Sequence, residues 1–508
     1  MVQLRFFDIL AFVLILGASF LIYSPHDHYE GPFLSPFERG IVNGSLGHHP
    51  FPLHVDGWNH VSLSKAVVDS DGLYHSNPQL AVNTKYHSLE WGFHLLVGFL
   101  SLLFGISVLK LSVVLPSLFF LLGAFMWYVF IGRQLKRPLA ALVSIAFFAL
   151  IPANANLLGH WFFIPLTTLW FFLSSFAIIL HSRISLTARF TLAGILLLIS
   201  FSIYPFATLL MLALLFFITL WHYRSWFSMV WSKRKLAAIG VATVVFSIIL
   251  VLIASGVFDM LVFEKGWTAV EYDYPVSYFV PWILVLIAVS GVFLMWDDGF
   301  QWLSLFTGFF LAHGLVSFLT YHVFGFTVLL PFQRMVFVWQ LLAGLAIGFA
   351  IECALRRVAR LYELDLHRQT LYSLLLAILI LGLLVAWQLP GYYEPEPERF
   401  AITSFNSDAY LQIIDRIPAD AGLNVLSHPL ISTSIYPLTG NKVVSVSSGN
   451  LGGQDSGLYD RFLMSDCKTK SELLGEHGIE YIITDNYFDC PYISEKAFAN
   501  GLFLYKTV

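Results

Sequence analysis

The chain has 508 residues, of which 57% are hydrophobic and only 12% charged, with a net charge of −4 and a mean hydropathy of +0.74. Soluble domains carry about a quarter charged residues, so a soluble globular protein is excluded, and the slightly acidic balance offers no basic face for nucleic acid. Apolar runs recur from residue 6 to residue 389, each long enough for the roughly 20 residues that cross hydrocarbon, which predicts a polytopic α-helical membrane protein.

The opening "LRFFDILAFVLILGASFLIYS" has the apolar core of a signal peptide but no clear small-x-small cleavage site, so it reads as an uncleaved first span. Spans are predicted over 5–23, 108–131, 138–153, 161–180, 189–203, 206–222, 236–256, 279–296, 301–320, 329–351 and 371–389, about eleven in all. Lys and Arg in short loops mark the cytoplasmic side. The clusters "GRQLKR" (132–137), "HSRISLTAR" (181–189), "HYRSWFSMVWSKRK" (222–235) and "RRVARLYELDLHRQ" (356–369) then share one side with Arg5, placing the N-terminus in the cytoplasm. This holds only if "WGFHLLVGFLSLLFGIS" (91–107) is an interfacial or re-entrant helix on the outer side. The loop "WDDGF" (296–300) is an acidic exception on the cytoplasmic side.

Two outer elements are large. The first loop, 24–90, contains "HVDGWNHVSLSKAV" (54–67). If this stretch is helical, Asp56, His60 and Ser64 share one face and Val61, Val67 and Val68 the other, the pattern of a helix lying on a membrane surface. Asp56 reads either as a helix-starting cap or as a catalytic base. "DSDG" (69–72) reads as the turn closing that helix, although Asp69 and Asp71 also suit a divalent cation. The histidines of "HDH" (26–28) and "HH" (48–49) lack a zinc spacing, and Asn43-Gly44-Ser45 is a glycosylation sequon. The tail opens with the linker "GYYEPEPERF" (391–400), then "AYLQIIDRIP" as helix and "LNVLSHP", "KVVSVSS" and "IEYIITD" as strands, a small α/β domain. Cys467 and Cys490 lie in this tail and are either a disulfide or two free thiols. Cys353 ends an apolar run.

Ionisable groups within spans are costly and mark function. Arg334, in "LLPFQRMVFVWQLL", lies about five residues into a span entered from the outer side. It reads either as an interfacial arginine snorkelling to headgroups or as a fixed cation for a lipid phosphate. His160, Tyr204, His313 and His322 fall near the outer ends of spans. The loop 263–278, "FEKGWTAVEYDYPVSY", reads as a polar connector or as a lid.

Three stretches carry a family resemblance: "DGWNHVSLSKAVVDSDGLY" (56–74), "KYHSLEWGFHLLVGFLSLLFGIS" (85–107) and "PFQRMVFVWQLLAG" (331–344). Their order over residues 1–390 resembles the GT-C superfamily of membrane glycosyltransferases, which take a sugar from a polyprenyl-phosphate carrier. Protein O-mannosyltransferases, aminoarabinose-lipid A transferases and oligosaccharyltransferases belong to it. The resemblance implies a GT-C-like membrane domain over 1–390, with its outer first loop over 24–107, and an extracytoplasmic α/β domain over 391–508. It implies an inverting transfer on the extracytoplasmic side, from a polyprenyl-phosphate-linked sugar to a lipid, glycan or protein acceptor. Asp56 takes the place of the base and Arg334 that of the donor-phosphate cation; His60, His87, Glu90, His160 and Tyr204 are substrate-binding candidates. The second outer loop, "PANANLLGHW" (152–161), lacks an acidic pair, and the tail lacks "WWDYG", which sets the chain apart from oligosaccharyltransferases. No cofactor is implied with certainty, and a divalent metal stays open. The membrane is the plasma membrane of a prokaryote or the endoplasmic reticulum of a eukaryote. A transporter or flippase of a lipid-linked substrate, or a non-catalytic scaffold, is the competing reading; against a transporter, the sequence shows no second half.

Overall fold

A computed structural model of the protein describes residues 2–27, 29–35, 40–46, 51–52, 55–70, 77–81, 90–150, 167–222, 262–264, 280–330, 332–363, 402–403, 408–446, 457–499 and 501–508, with scattered helical positions between 368 and 383. The membrane part is helical: α1 (Val2–Tyr23), α4 (Val108–Trp127), α5 (Pro138–Leu150), α6 (Thr168–His181), α7 (Leu186–Ile203), α8 (Pro205–His222), α9 (Trp282–Asp297), α10 (Gln301–Phe324) and α11 (Phe332–Leu361). Helices α2 (Val55–Asp69) and α3 (Trp91–Phe104) belong to the first loop. Among the described residues six segments are long and apolar enough to cross a membrane: Phe6–Tyr23, Val108–Gln134, Leu186–Ile203, Pro205–His222, Gln301–Phe324 and Arg334–Leu361. The chain is an integral membrane protein.

Three further expected spans, 138–153, 161–180 and 279–296, appear as the shorter apolar helices α5, α6 and α9. The expected span 236–256 lies outside the described residues, and 371–389 is described only in scattered positions.

Helix α11 is the axis of the bundle. It packs against α5, α9 and α10. Two of its glycines, Gly344 and Gly348, are four apart and let α5 approach: a Cβ on Gly344 would lie 2.9 Å from the Phe147 ring, and one on Gly348 would press on the Ala140 backbone. Small residues at this spacing are how helices meet closely in lipid, where no hydrophobic effect drives them together.

The apolar stretch from Trp91 onward is not one continuous helix. Gly105 ends α3 in the left-handed conformation at φ 64°, and the Ser107 side chain caps α4 by accepting from the Lys110 amide. The result is a 14-residue α3, about 21 Å long and too short for hydrocarbon about 30 Å thick. It packs against α2, α4 and α7. The outward side of its last turn and the following hinge is apolar, with Phe99, Leu102, Leu103, Phe104 and Ile106 exposed.

At one end of the bundle charges pair with each other. Arg137 bonds Asp298 at 2.6 Å and lies 3.7 Å from Glu352; Arg356 bonds Glu352 at 2.6 Å, and Arg357 approaches Asp297 at 3.5 Å. The acidic "WDDGF" loop therefore sits among the basic segments 132–137 and 356–357, and the partnerships account for its charge.

The first loop and the tail fold together. Strands β1 (Tyr29–Ser35) and β2 (Gly40–Leu46) form a hairpin, and β1 pairs in parallel with β5 (Ile402–Thr403). Short strands β3 (Val262–Glu264) and β4 (Phe326–Val328) pair antiparallel at the two ends of segments flanking α9 and α10; residues 265–278 of the lid candidate lie outside the described residues. The tail holds α12 (Asp408–Ile414), β6 (Asn424–Leu426), α13 (Pro429–Thr439), β7 (Lys442–Val443), α14 (Leu458–Met464), α15 (Cys467–His477), β8 (Tyr481–Thr484), β9 (Ile493–Ala499) and β10 (Leu502–Thr507). Its sheet runs β7-β6-β8-β10-β9, parallel across β7, β6 and β8 and antiparallel beyond. Leu80 of the first loop adds a parallel bridge to Val443 at the β7 edge. Cys467 and Cys490 form a disulfide with Cα atoms 5.7 Å apart.

One expectation is corrected. Helix α2 does not lie on a surface with one wet face. Trp58, His60, Val61, Ser62, Leu63, Ser64, Ala66 and Val67 are all buried, because α3 and α4 cover one side and α13 of the tail the other. Trp58 sits in a core formed with Tyr410, Ile413, Ile431 and Ile435 of the tail. The helix begins at Val55, so Asp56 is in its first turn rather than before it.

Candidate functional site

Four elements meet over the end of α11 opposite the ion-pair cluster. Arg334 is the third residue of α11, and Glu352 lies 18 residues further on, about 27 Å along the axis. That separation is close to the thickness of hydrocarbon, about 30 Å. Arg334 is 9% exposed. Its guanidinium lies over two rings, 4.6 Å from the Phe206 centroid and 5.8 Å from that of Tyr204, within the range of cation–π attraction. A snorkelling arginine would reach outward; this one is held inward by aromatic faces.

Tyr204 reaches it because Pro205 starts α8. The residue before a proline is pushed out of the helical region, and Tyr204 has φ −153° and ψ 94°. The chain breaks between α7 and α8 there, turning a fully buried tyrosine into the bundle. Burial pushes the Tyr204 hydroxyl pKa up; the Arg334 cation opposes this and the Glu90 charge adds to it. Glu90 stands immediately before α3, half-buried, with its carbonyl accepting from the Phe93 amide at 2.9 Å.

His60 comes from α2. Its Nδ1 is 2.9 Å from Nε2 of His94 on α3. Both rings are buried, and the Phe93 ring stands edge-on to His60 at 5.7 Å. Burial pushes His60 down to about 3, with the Arg334 charge as the second cause; burial also lowers His94, with His60 as its second cause. Close helix packing makes this meeting possible. A Cβ on Gly98 would lie 2.9 Å from Val67 of α2, and one on Gly92 would press on the side chain and backbone of Ser202 in α7.

His60, Glu90, Tyr204 and Arg334 are therefore brought to one place. Asp56 lies on α2 one turn before His60, and its side chain is outside the described residues, as are His87 and His160. His313 lies on α10 beside Phe309, and His322 lies on α10 beside Phe318 and edge-on to Phe332, the first residue of α11, at 5.9 Å. His94 and Phe206 join the site without a sequence signal of their own, since both sit in apolar runs. Among the described residues no three His, Cys, Asp or Glu side chains gather as a metal site needs. Asp69 bonds Lys65 and Tyr436, and Asp71 is outside the described residues.

No protein-family model matches the chain, and no curated protein matches it in sequence. Solved structures do match in fold. Over 95% of this chain and 69% of the other, it is similar to the oligosaccharyltransferase AglB of Archaeoglobus fulgidus, solved with an inhibitory peptide and a dolichol-phosphate, with a TM-score of 0.59 and 10% identity. Over 99% of this chain and 97% of the other, it is similar to ArnT of Cupriavidus metallidurans in the apo state, with a TM-score of 0.52 and 14% identity. The fold is GT-C. In this chain the first-loop helices α2 and α3, the α7–α8 break and the start of α11 contribute the residues of the cluster. The A. fulgidus protein has also been solved with zinc and sulfate.

Proposed function

We propose that the chain is a membrane glycosyltransferase that moves a sugar from a polyprenyl-phosphate carrier to an acceptor on the extracytoplasmic side. The observation that carries this reading is the placement of Arg334. A cation in the first turn of a 30-residue helix stands against the helix dipole, so the local potential is positive twice over. An arginine buried there, beside an outer-loop helix, suits the phosphate of a lipid whose chain lies along the bundle. The bound ligand named for the A. fulgidus structure, a dolichol-phosphate, is of this chemical class.

A polyprenyl phosphate leaves as a stabilised anion, so no general acid is needed, which removes half of the usual two-carboxylate machinery. In the proposed step the acceptor heteroatom bonds to the anomeric carbon while the bond from that carbon to the phosphate oxygen breaks. The bonding electrons go to the phosphate, stabilised by Arg334, and the acceptor proton goes to Asp56. A single displacement inverts the anomeric centre. His60, Glu90 and Tyr204 supply polar contacts to sugar or acceptor, with His87 and His160 as further candidates from the adjoining loops.

The proposed orientation has the N-terminus in the cytoplasm and the tail outside. Two features support it: the four basic clusters share one side by sequence, and the tail carries a disulfide, which persists in oxidising compartments. The proposed division is a membrane domain over 1–390 and a tail over 391–508. The test is purified protein in nanodiscs with a labelled polyprenyl-phosphate sugar and extracted membrane acceptors. Label moving to an acceptor, with free polyprenyl phosphate appearing, is the expected result. Passage of intact donor across a sealed bilayer without transfer would overturn it.

A further inference from the structure

The His60–His94 pair ties the helix carrying Asp56 to α3. At 2.9 Å between Nδ1 and Nε2 one nitrogen must hold the hydrogen and the other must accept it, because two imidazolium rings would face N–H to N–H. The two tautomers are therefore locked to each other. Whichever ring donates, the pair carries one N–H and one lone pair on its outer nitrogens, His60 Nε2 and His94 Nδ1.

The surroundings hold the pair uncharged. The Arg334 charge acts on His60 from α11; Tyr204, in the α7–α8 break, lies under that guanidinium, and the Glu90 charge acts on Tyr204 from the residue before α3. Tyr436 of α13 engages Asp69 at the far end of α2, and Lys110 of α4 is exposed. Asp56 lies one turn before His60 on α2. Burial and the Arg334 cation together disfavour a second positive charge, which is why His60 is depressed to about 3.

We propose that His94 is a positioning residue: it fixes the tautomer and ring plane of His60 so that a neutral imidazole, rather than a second cation, stands beside Arg334. This rests on the transferase reading above. The chemistry gives it a purpose. An imidazolium next to Arg334 would grip the phosphate of bound donor as firmly as that of the transition state, and equal binding of the two does not raise kcat. A neutral ring instead makes one directional hydrogen bond to a sugar or acceptor hydroxyl.

Two measurements test it. Imidazole nitrogen NMR of histidine-labelled protein in nanodiscs, assigned with His60→Asn and His94→Asn, reads charge without turnover. The expected result is that both rings stay neutral from pH 8 to pH 5. The second measurement is the pH profile of transfer for wild type, His94→Ala and His94→Gln. His94→Ala should lower kcat about tenfold or more with little change in donor KM, since a buried ring nitrogen loses its partner. It should also add an acid limb, because water filling the vacated space lets His60 titrate toward its ordinary value. His94→Gln, whose amide N–H can donate to Nδ1, should recover most of the rate and the flat profile. Rings that titrate separately near pH 6.5 in wild type would overturn the proposal and leave the transferase reading standing. So would a His94→Ala enzyme with wild-type kcat and an unchanged profile. If no transfer occurs at all, the transferase reading fails and this proposal with it, while the NMR result still decides whether the pair is neutral.

Discussion

The Tyr436 hydroxyl donates to the Asp69 carboxylate at 3.1 Å across 367 residues of sequence. Asp69 also receives Lys65 at 2.8 Å, and the Lys65 ammonium lies 5.7 Å from the Tyr436 ring centroid. At the other end of the same helix Trp58 is fully buried in the tail core. Further along the loop the Val443 amide donates to the Gln79 carbonyl at 2.7 Å, and Gln79 in turn donates to Asn59 at 2.9 Å. The tail thus holds α2 at both ends and from the side, so the helix bearing Asp56 is part of its core rather than a free loop.

Trp58→Ala should cost about 3–5 kcal/mol, the usual range for emptying a buried aromatic site. Tyr436→Phe should cost about 0.5–1.5 kcal/mol, since Asp69 keeps Lys65. Thermal unfolding in detergent checks both. Equal midpoints for wild type and Trp58→Ala would show that the tail does not hold α2.

Asp56→Asn preserves shape and removes the proposed base. Transfer should fall by about 10²–10⁴-fold, the usual worth of general-base help, with an unchanged unfolding midpoint and elution volume. An active Asp56→Asn enzyme removes the residue from the mechanism.

Arg334→Lys keeps the charge but loses the planar fork that grips phosphate oxygens in pairs. Losing a hydrogen bond to a charged group costs about 1.5–3 kcal/mol, so the Kd for polyprenyl phosphate should rise about tenfold or more, and further in Arg334→Ala. Titration of the lipid phosphate into purified protein measures this. Unchanged binding in Arg334→Ala would mean that the phosphate sits elsewhere.

Six of the expected spans were legible because a long apolar run has few other fates, and the break after residue 104 was legible in the shortness of 91–107. Arg334 stood out as a charge among apolar residues. The burial of α2 was not legible. Its sequence has one polar and one apolar face like a surface helix, yet α3 covers the face with His60 and α13, which begins at Pro429, covers the side with Trp58 and Ser62. Nothing local in either segment announces the other. His94 escaped for a similar reason: in "WGFHLLVGF" it is one polar residue in a greasy helix, and the approach of α2 at Gly98 brings His60 to it. The acidic loop at 297–298 looked anomalous because its arginines come from two other segments.

The buried histidines give stability a pH dependence whose sign is fixed. Both are depressed in the folded chain, whereas unfolded rings protonate near 6.5. Below that value the unfolded state binds more protons than the folded one, so stability from this source is complete above about pH 6.5 and falls as pH drops toward 3. Unfolding midpoints measured from pH 8 to pH 4 should decline on the acid side, and the double variant His60→Asn, His94→Asn should flatten that decline. An identical slope in the double variant would assign the acid sensitivity to other groups.

Glu352 is the centre of the opposite end. It is buried, accepts from the Ala140 amide at 2.8 Å and from Arg356 at 2.6 Å, and lies 3.7 Å from Arg137, itself buried against Asp298. Removing one member of a buried ion pair leaves the other charge desolvated, which costs about 3–5 kcal/mol, whereas replacing both by apolar groups is often neutral. Glu352→Leu should therefore destabilise the bundle strongly, and Arg137→Met added to it should restore part of the loss. Carrier binding at Arg334 should be unaffected in any variant that folds, because the two clusters stand about 27 Å apart along α11. Unfolding midpoints of the two single variants and the double variant, read as a cycle, give the coupling. Additive losses would mean that Arg137 and Glu352 act independently, with Asp298 and Arg356 sufficient as their respective partners.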